Sequence, residues 1–529
     1  MSSRRTISII SLILFICSMA AFGQEQQAQQ PQGKSLSLTL DDCIARALQK
    51  NLGIQAAILS PQVSDAALVQ SREKYYPSLS FNYTDTSNNS GSYSWVDASQ
   101  TVTSTGNNYS AQISQLIPIG GNFTIRLSGN MTDTNSRGQT VNPRYQSTLR
   151  FDFTQPLLQG FGYKMTNYNI FVARNNLDIS ETQFDKTVQD TVYSVTQAYW
   201  QLVYSIENLK VQRLALQLAR DLLAKNQRSV EIGTLAPLDV LTAQSEVATR
   251  EANILAAEAA VKGAEDQIKM LINLSDEEEK GLREVMALDQ PKFEEQKVDL
   301  DQALAIAMQK RTDLKISQIG LQIQDLNLSY TRNQLLPSLN FTVSYWSPGL
   351  GGTLLLYDNP NPLLGTLIGT VPGGGSQALK DAFNFKYKNW QVSLSLGIPL
   401  SNMISRASLA QAKLNLDQAL LDLKNQEKQV VLEIKNAVRN VDTTYKQVLA
   451  YKVARDLAEK KLQAEEEKLR VGLSTDYFVL QYQRDLTNAR VAELQAIINY
   501  NLAQVSLDRS TGTILEKKKI KITDILTRS

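Results

Sequence analysis

The stretch PSLSFNYT at residues 77–84 returns as PSLNFTVS at residues 337–344, and this repetition decides how the chain is built. Upstream of it, LDDCIARALQK at 40–50 returns as LDQALAIAMQK at 300–310. Both pairs are offset by the same 260 residues and need no gap between them. Constant spacing over many matched positions indicates an internal duplication.

The hydrophobic period changes at the proline that opens each quoted stretch. From 40 to 76 and from 300 to 336, apolar residues are three or four apart, which predicts two helices in each copy, broken near Gly53 and Thr312. Beyond Pro77 and Pro337 the period becomes two, which predicts strands with one apolar and one polar face.

Further alternating runs predict more strands within 77–156 and 338–400. Their linkers are polar, except residues 347–384, where leucines stand among glycines and prolines. We expect this segment to be an apolar loop, and its glycines to be loop glycines, since no phosphate-binding lysine or helix pattern accompanies them.

Long helical tracts follow the strands in both copies. They are expected at 163–231 and 237–273 in the first copy and at 403–470 and 475–508 in the second. A tract of 68 residues would be about 100 Å long, at about 1.5 Å per residue. The seam of 237–273 has the three-and-four spacing of a coiled coil, broken by Arg250. Gly233 and Gly472 stand at short joints, so each pair of tracts forms an antiparallel hairpin.

Composition excludes most kinds of catalytic site. The chain has no histidine and two cysteines, which removes Ser/His/Asp triads, Cys/His dyads and zinc sites with histidine ligands, so we expect no enzyme activity, cofactor or metal. The net charge of +2 falls to zero once a secretory signal peptide, expected at 1–23, is removed with Arg4 and Arg5. A neutral mature chain lacks the basic surface that nucleic acid requires.

Membrane contact is expected to come from strands. Beyond the signal peptide we find no apolar run near the ~20 residues that a membrane helix needs. Four to six strands cannot close a barrel alone, and open edges are not tolerated in lipid. If these strands span a membrane, several chains must share one barrel; a trimer would have 12 strands with four per chain and 18 with six.

Three other classes of protein fit these strands and hairpins less well than a membrane barrel shared by several chains. A periplasmic adaptor normally has one long hairpin per chain, whereas this chain has two. A secreted hydrolase without histidine would need paired carboxylates on a cleft, which the sequence does not indicate. A structural spacer of the envelope would not need alternating strands.

The chain resembles the TolC-like outer-membrane efflux proteins over essentially its whole mature length. The resemblance rests on the duplicated Pro-Ser-Leu motifs, on Thr154–Leu158 with its partner Gly397–Leu400, and on the glycine-tipped hairpins. It implies an α+β, internally duplicated membrane protein. Coiled-coil hairpins would form a periplasmic α-barrel, and strands from three copies would share an outer-membrane β-barrel.

The resemblance also implies a function and partners. The homotrimer would be a passive, porin-like exit duct in the outer-membrane lipid, with its helical tunnel in the periplasm. It would serve a tripartite efflux pump or a type I secretion system, receiving cargo from an inner-membrane pump or ABC transporter through a periplasmic adaptor. Drug efflux and protein secretion both remain open.

The same resemblance divides the chain into segments. They are a signal peptide (1–23), a flexible linker (24–37), a first repeat (38–273) with strands at 77–156 and a hairpin at 163–273, an equatorial segment (274–297), a second repeat (298–510) with strands at 338–400 and a hairpin at 403–508, and a tail (511–529). The equatorial segment and the tail would surround the middle of the tunnel.

Residues of two kinds carry over from the family. The hairpin tips that meet the adaptor correspond to Ile232, Gly233, Thr234, Val471, Gly472 and Leu473. These glycines also have a purely structural explanation, since a tight helix turn needs a left-handed residue, and the two roles are compatible.

A ring of carboxylates often narrows the periplasmic mouth in this family, at the sixth position after the tip glycine. Asp239 is at that position in the first copy, but Phe478 occupies it in the second, where Asp476 stands two residues earlier. Repelling carboxylates could form an aperture. The alternative, which we favour slightly, is that both aspartates stabilise a helix N-terminus.

The number of strands departs from the family, which usually has four per protomer. Beyond the strands the two copies are offset by 239 residues, so the first copy has 21 extra residues, about one short hairpin. Pro118–Asn122 would provide its turn. The barrel could be wider, or the hairpin could lie outside it; we expect a hairpin outside the barrel or at its rim.

Overall fold

In each copy a pair of helices leads to strands and then to long helices, which is the order that the hydrophobic periods predict. The computed structural model describes residues 34–92, 100–275 and 282–521. Its helices are α1 (Leu40–Lys50), α2 (Leu52–Arg72), α3 (Tyr163–Thr166), α4 (Tyr168–Glu231), α5 (Pro237–Ile272), α6 (Leu300–Lys310), α7 (Thr312–Asn333), α8 (Gly375–Phe383), α9 (Met403–Arg470), α10 (Asp476–Ser510) and α11 (Ile514–Lys517). Its strands are β1 (Lys34–Leu38), β2 (Ser78–Gly91), β3 (Thr101–Leu116), β4 (Asn122–Thr134), β5 (Val141–Pro156), β6 (Leu282–Ala287), β7 (Ser338–Tyr357), β8 (Leu367–Val371) and β9 (Asn389–Gly397).

Local capping and backbone conformation determine where the paired helices before each group of strands begin and end. The Thr39 hydroxyl accepts from the Asp42 amide at 3.2 Å, and the Asp42 carboxylate accepts from the Thr39 amide at 3.1 Å, which is a capping box at the start of α1. Asn51 and Arg311 have extended backbone and separate the helices of each pair. The prediction of two helices per stretch is confirmed.

The long helices also agree with the prediction. The tracts expected at 163–231, 237–273, 403–470 and 475–508 correspond to α3 with α4, α5, α9 and α10, whose ends differ by at most two residues. The spacing of the seam residues and the glycine joints are therefore sufficient to locate the ends of these long helices from the sequence.

The chain divides into two units. Among the described residues, the first contains 34–52, 191–275, 282–297 and 439–506, and the second contains 53–92, 100–190, 298–438 and 507–521. In the first unit, β1 and β6 pair in parallel, and the Tyr199 hydroxyl of α4 donates to the Asp289 carboxylate at 2.8 Å, with Leu38 O 3.2 Å from the same hydroxyl oxygen. In the second unit, Ala307 of α6 packs with Val430 and Ile434 of α9.

The equatorial segment is held to the helices of the first unit. Phe293 stacks on Tyr445 with ring centroids 5.4 Å apart, and its edge meets Tyr500 at 5.5 Å. The Tyr500 hydroxyl donates to Glu294 O at 2.8 Å. Phe293 and the Glu294 carbonyl thus fix the path of this segment against the helices.

The second unit contains one antiparallel sheet. Its order is β2-β3-β4-β5-β7, and β9 and β8 both pair with the remaining edge of β7, at Ser338–Trp346 and Leu354–Tyr357. The sheet is therefore six strands wide. Its long strands run in continuous register, apart from a bulge in β5 between Val141 and Arg144 and a shift in β7 between Leu356 and Tyr357, where it pairs with β8.

The two faces of this sheet differ in chemistry. Because directly paired residues share a face, the register places Phe81, Ala111, Leu127 and Leu149 in one row. The same face carries Leu79, Tyr83, Ile113, Ile125, Phe151, Phe341, Tyr345, Val392 and Leu394. Serine, threonine, asparagine and arginine line the opposite face. This alternation confirms the prediction of strands with one apolar and one polar face.

The β3–β4 hairpin lies within the sheet, a position that does not favour the expectation of a hairpin outside the barrel or at its rim. β3 and β4 lie between β2 and β5, and β3 pairs along the whole of β2. Their apolar residues align row by row with those of the other strands, so placing the hairpin elsewhere would break two ladders of backbone hydrogen bonds.

The apolar loop expected at 347–384 is also wrong, because most of this segment is ordered structure. β7 continues to Tyr357, β8 pairs with it, and α8 packs on the apolar face of β7 and β5. A Cβ on Gly349 would lie 1.9 Å from Ala378 O, and one on Gly351 would lie 2.4 Å from Gly374 O. The glycines that resemble loop residues instead allow a helix backbone to approach a strand.

Two smaller expectations need correction. The flexible linker expected at 24–37 ends in strand β1, which pairs with β6; the signal peptide at 1–23 lies outside the described residues. One described helix segment, Leu52–Tyr75, is long and apolar enough to cross a membrane by length and composition. A search for a continuous apolar run does not identify this segment, because polar residues interrupt its apolar ones.

Candidate functional site

The two hairpin tips have the same backbone geometry. The Gly233 amide donates to Val230 O at 3.0 Å and the Thr234 amide to Ser229 O at 2.9 Å. In the second tip, the Gly472 amide donates to Leu469 O at 3.1 Å and the Leu473 amide to Lys468 O at 2.8 Å. Gly233 has φ 79° and Gly472 has φ 80°. Each glycine ends a helix in the left-handed conformation, so its structural role is present in both copies.

Conformation, and not crowding, requires glycine at these positions. No heavy atom lies within 4 Å of a Cβ built on Gly233 or on Gly472. The side chains beside them point into open space: Ile232 is 77% exposed and Leu473 is 79% exposed, and Val471 is exposed as well. The tips therefore present apolar side chains on rigid turns, which is typical of a contact surface.

The candidate aperture residues lie close to these tips in the first unit. Asp239 is in the first turn of α5, and Asp476 is the first residue of α10. Asp476 is only 8% exposed. Burial raises the pKa of the Asp476 carboxyl, Lys225 opposes this, and the negative charge of Asp239 raises it further. The structure thus brings the two aspartates into electrostatic contact.

The position of the aspartates agrees with both explanations of their role. Each stands where a helix dipole favours negative charge. Dipole stabilisation does not require burial, however, and Asp476 is buried beside another carboxylate. Phe478 does not join them: it is exposed and its ring meets Tyr477 edge-on, with centroids 5.7 Å apart.

A buried ion cluster, which the sequence reading missed, links the two hairpins. Glu246 of α5 accepts from Arg250 Nε at 2.7 Å and from Arg484 Nε of α10 at 2.9 Å. The side chains of Glu246 and Arg250 are 4% and 7% exposed. Arg250 interrupts the apolar spacing of the seam, yet its side chain is buried within it. The acidic residue four positions earlier was the signal that could have identified the pair.

The sequence pattern of the outer membrane efflux protein family matches residues 123–274 and 303–513 of this chain. Among curated proteins, the outer membrane protein TolC of Escherichia coli is 23% identical over 353 residues, which are 66% of this chain and 67% of TolC. The outer membrane efflux protein BepC of Brucella suis is 22% identical over 386 residues, which are 71% of this chain and 75% of BepC.

Solved structures share the fold at low sequence identity. The CmeC outer membrane channel of Campylobacter jejuni superposes with a TM-score of 0.64 and 14% identity, over 92% of this chain and 90% of that channel. The MtrE outer membrane channel of Neisseria gonorrhoeae gives 0.60 and 16%, over 90% and 89%. Hairpins, duplicated strand blocks and matched family sequence lead to one conclusion: this chain belongs to the outer membrane efflux protein family.

Proposed function

We propose that three copies of the chain form a passive exit duct through the outer membrane. The duct would receive cargo from an inner-membrane transporter through a periplasmic adaptor, in a tripartite efflux pump or a type I secretion system. Family membership supports the outer-membrane location and the efflux role. Within the chain, the observation that carries the proposal is the two-faced sheet with two free edges.

The sheet has the chemistry of a barrel wall. One face is apolar across all six strands, as lipid requires, and the other is polar, as an aqueous channel requires. Within the described residues, β2 has a partner on one edge only, and so do β8 and β9. Unpaired backbone groups are too costly in lipid, so neighbouring copies would close the wall.

The hairpin tips are the proposed surface for the adaptor. Ile232, Gly233 and Thr234 would form one contact, and Val471, Gly472 and Leu473 the other. Exposed apolar side chains on two turns of equal geometry would give the adaptor two similar places to bind. The turn and docking roles of the glycines are compatible, because the turn is what presents the neighbouring side chains.

Asp239 and Asp476 are proposed to line the periplasmic aperture, whereas the exposed ring of Phe478 stands apart from the two carboxylates. Since the folded-state pKa of Asp476 is raised, protonation stabilises the arrangement in which this carboxyl is buried. That stability is present at low pH and is lost as the pH rises through the raised pKa. Acid therefore favours the arrangement in which Asp476 is buried, which we propose to be the closed form of the aperture.

Trimers in planar bilayers are accordingly expected to conduct less when the solution on the side of the tips is acidified from pH 7 into the range in which carboxyls take up protons. Asp476→Asn should remove the response, because the side chain then stays neutral throughout. Asp221→Asn, at an exposed position of α4, is the matched control and should respond as the natural chain does. An unchanged pH response in Asp476→Asn would refute the role of this carboxyl, and failure to form any channel would refute the duct.

A further inference from the structure

The inserted hairpin has the chemistry of a pore wall on both of its faces. Toward the apolar side it contributes Ala111, Ile113, Ile125 and Leu127, in rows with the strands that flank it. The Tyr109 ring covers Gly129, where a Cβ would be 2.1 Å from that ring, and its hydroxyl lies 3.4 Å from the Ser147 hydroxyl on β5. The hairpin is therefore packed into the sheet across three strands.

The outermost strands show where the sheet is incomplete. Within the described residues, β2 pairs only with β3 and β9 only with β7, so each has one edge without a partner strand. Leu79 and Phe81 on β2, and Trp390 and Leu394 on β9, are all more than half exposed on the apolar face. β2 runs away from the helix that precedes it and β9 runs toward the helix that follows it, so the two edges are antiparallel. A second copy can pair its β2 with this β9 and continue the same sheet.

The polar face carries an excess of positive charge. Register places Arg126, Arg144 and Arg150 on that face, together with Asp152. Arg150 is neutralised, since its Nε lies 2.8 Å from the Asp152 carboxylate. Arg126 donates to the neutral amide of Gln112, at 2.9 Å from Nε, and Arg144 has no acidic partner in the part of the chain that the structure describes. Arg126 and Gln112 both belong to the inserted hairpin.

We propose that the β3–β4 hairpin is part of the barrel wall, so that three copies close eighteen strands around a lumen whose arginines favour anionic solutes. This rests on the proposed trimeric duct. Barrel diameter grows roughly linearly with the number of strands, so this barrel is about half as wide again as one of twelve. Each copy adds two uncompensated arginines, and rings of arginine select anions.

Electron cryo-microscopy of the full-length trimer in lipid nanodiscs tests whether the β3–β4 hairpin is part of the barrel wall. The expected map has eighteen strands, with β2 of each copy paired to β9 of the next. A trimer with twelve strands in the wall and the β3–β4 hairpin detached from it would overturn the inference and leave the duct in place. Absence of a trimer would instead refute the proposed function.

Reversal potentials in a potassium chloride gradient test whether the lumen favours anions. In Arg126→Gln combined with Arg144→Gln, the ratio of chloride to potassium permeability is expected to fall by at least about twofold. Arg137→Gln, in the exposed loop between β4 and β5, is the control and should leave the ratio unchanged. An equal ratio in the double variant and the natural chain would overturn the proposed anion preference while channels still form.

Discussion

Replacement of Leu473 by aspartate is expected to abolish export while the trimer remains intact. Leu473 is 79% exposed at a tip, so the fold of the chain does not depend on its side chain. In a docked complex the change removes an apolar contact and buries an unpaired carboxylate, which would cost about 4 kcal/mol, or roughly a thousandfold in affinity. Export is measured in cells, and the trimer by electrophoresis of unheated samples.

Gly472→Ala at the same tip is the matched control. An added Cβ meets nothing within 4 Å, and its left-handed backbone costs about 1–2 kcal/mol, so the turn is strained while its apolar surface is retained. Export should be close to normal. Normal export by Leu473→Asp would remove the docking claim, and equal loss in both variants would assign the effect to turn geometry.

Replacement of Glu246 by glutamine is expected to destabilise the junction between α5 and α10 strongly. Gln has nearly the same shape, but it leaves the buried guanidinium of Arg250 without a counter-charge. Removing one member of a buried ion pair typically costs about 3–5 kcal/mol. Chemical denaturation of the detergent-solubilised protein, followed by circular dichroism, should show this as a lowered midpoint.

Glu258→Gln makes the same change on the same helix at an exposed ion pair. Arg213 and Glu258 are 3.0 Å apart with both side chains largely in solvent, so the loss should be below about 1 kcal/mol. Equal midpoints for Glu246→Gln and Glu258→Gln would contradict a stabilising role for the buried cluster.

Elements defined by local rules could be predicted from the sequence. The tip of the second hairpin illustrates this, since Gly472 ends one helix and Asp476 begins the next, as seam spacing and capping require. The positions of the docking and aperture candidates follow from those ends. Their burial does not, because it depends on which helix packs beside them.

Contacts between distant segments could not be predicted in the same way. Gly349 and Gly351 resemble loop residues until α8 is placed against them, and the 21 extra residues have no location until register is known. Glu246, four residues before Arg250, indicates their pairing, but the sequence does not indicate that Arg484 of α10 also binds Glu246. Each of these features depends on a neighbour that is remote in sequence.

Separation of the cell envelope, followed by electrophoresis with and without heating, tests the central claim most directly. We expect the chain in the outer-membrane fraction, migrating as a trimer in detergent and as a monomer of 58.9 kDa or slightly less after heating. Recovery of the chain as a soluble monomer would contradict the outer-membrane duct.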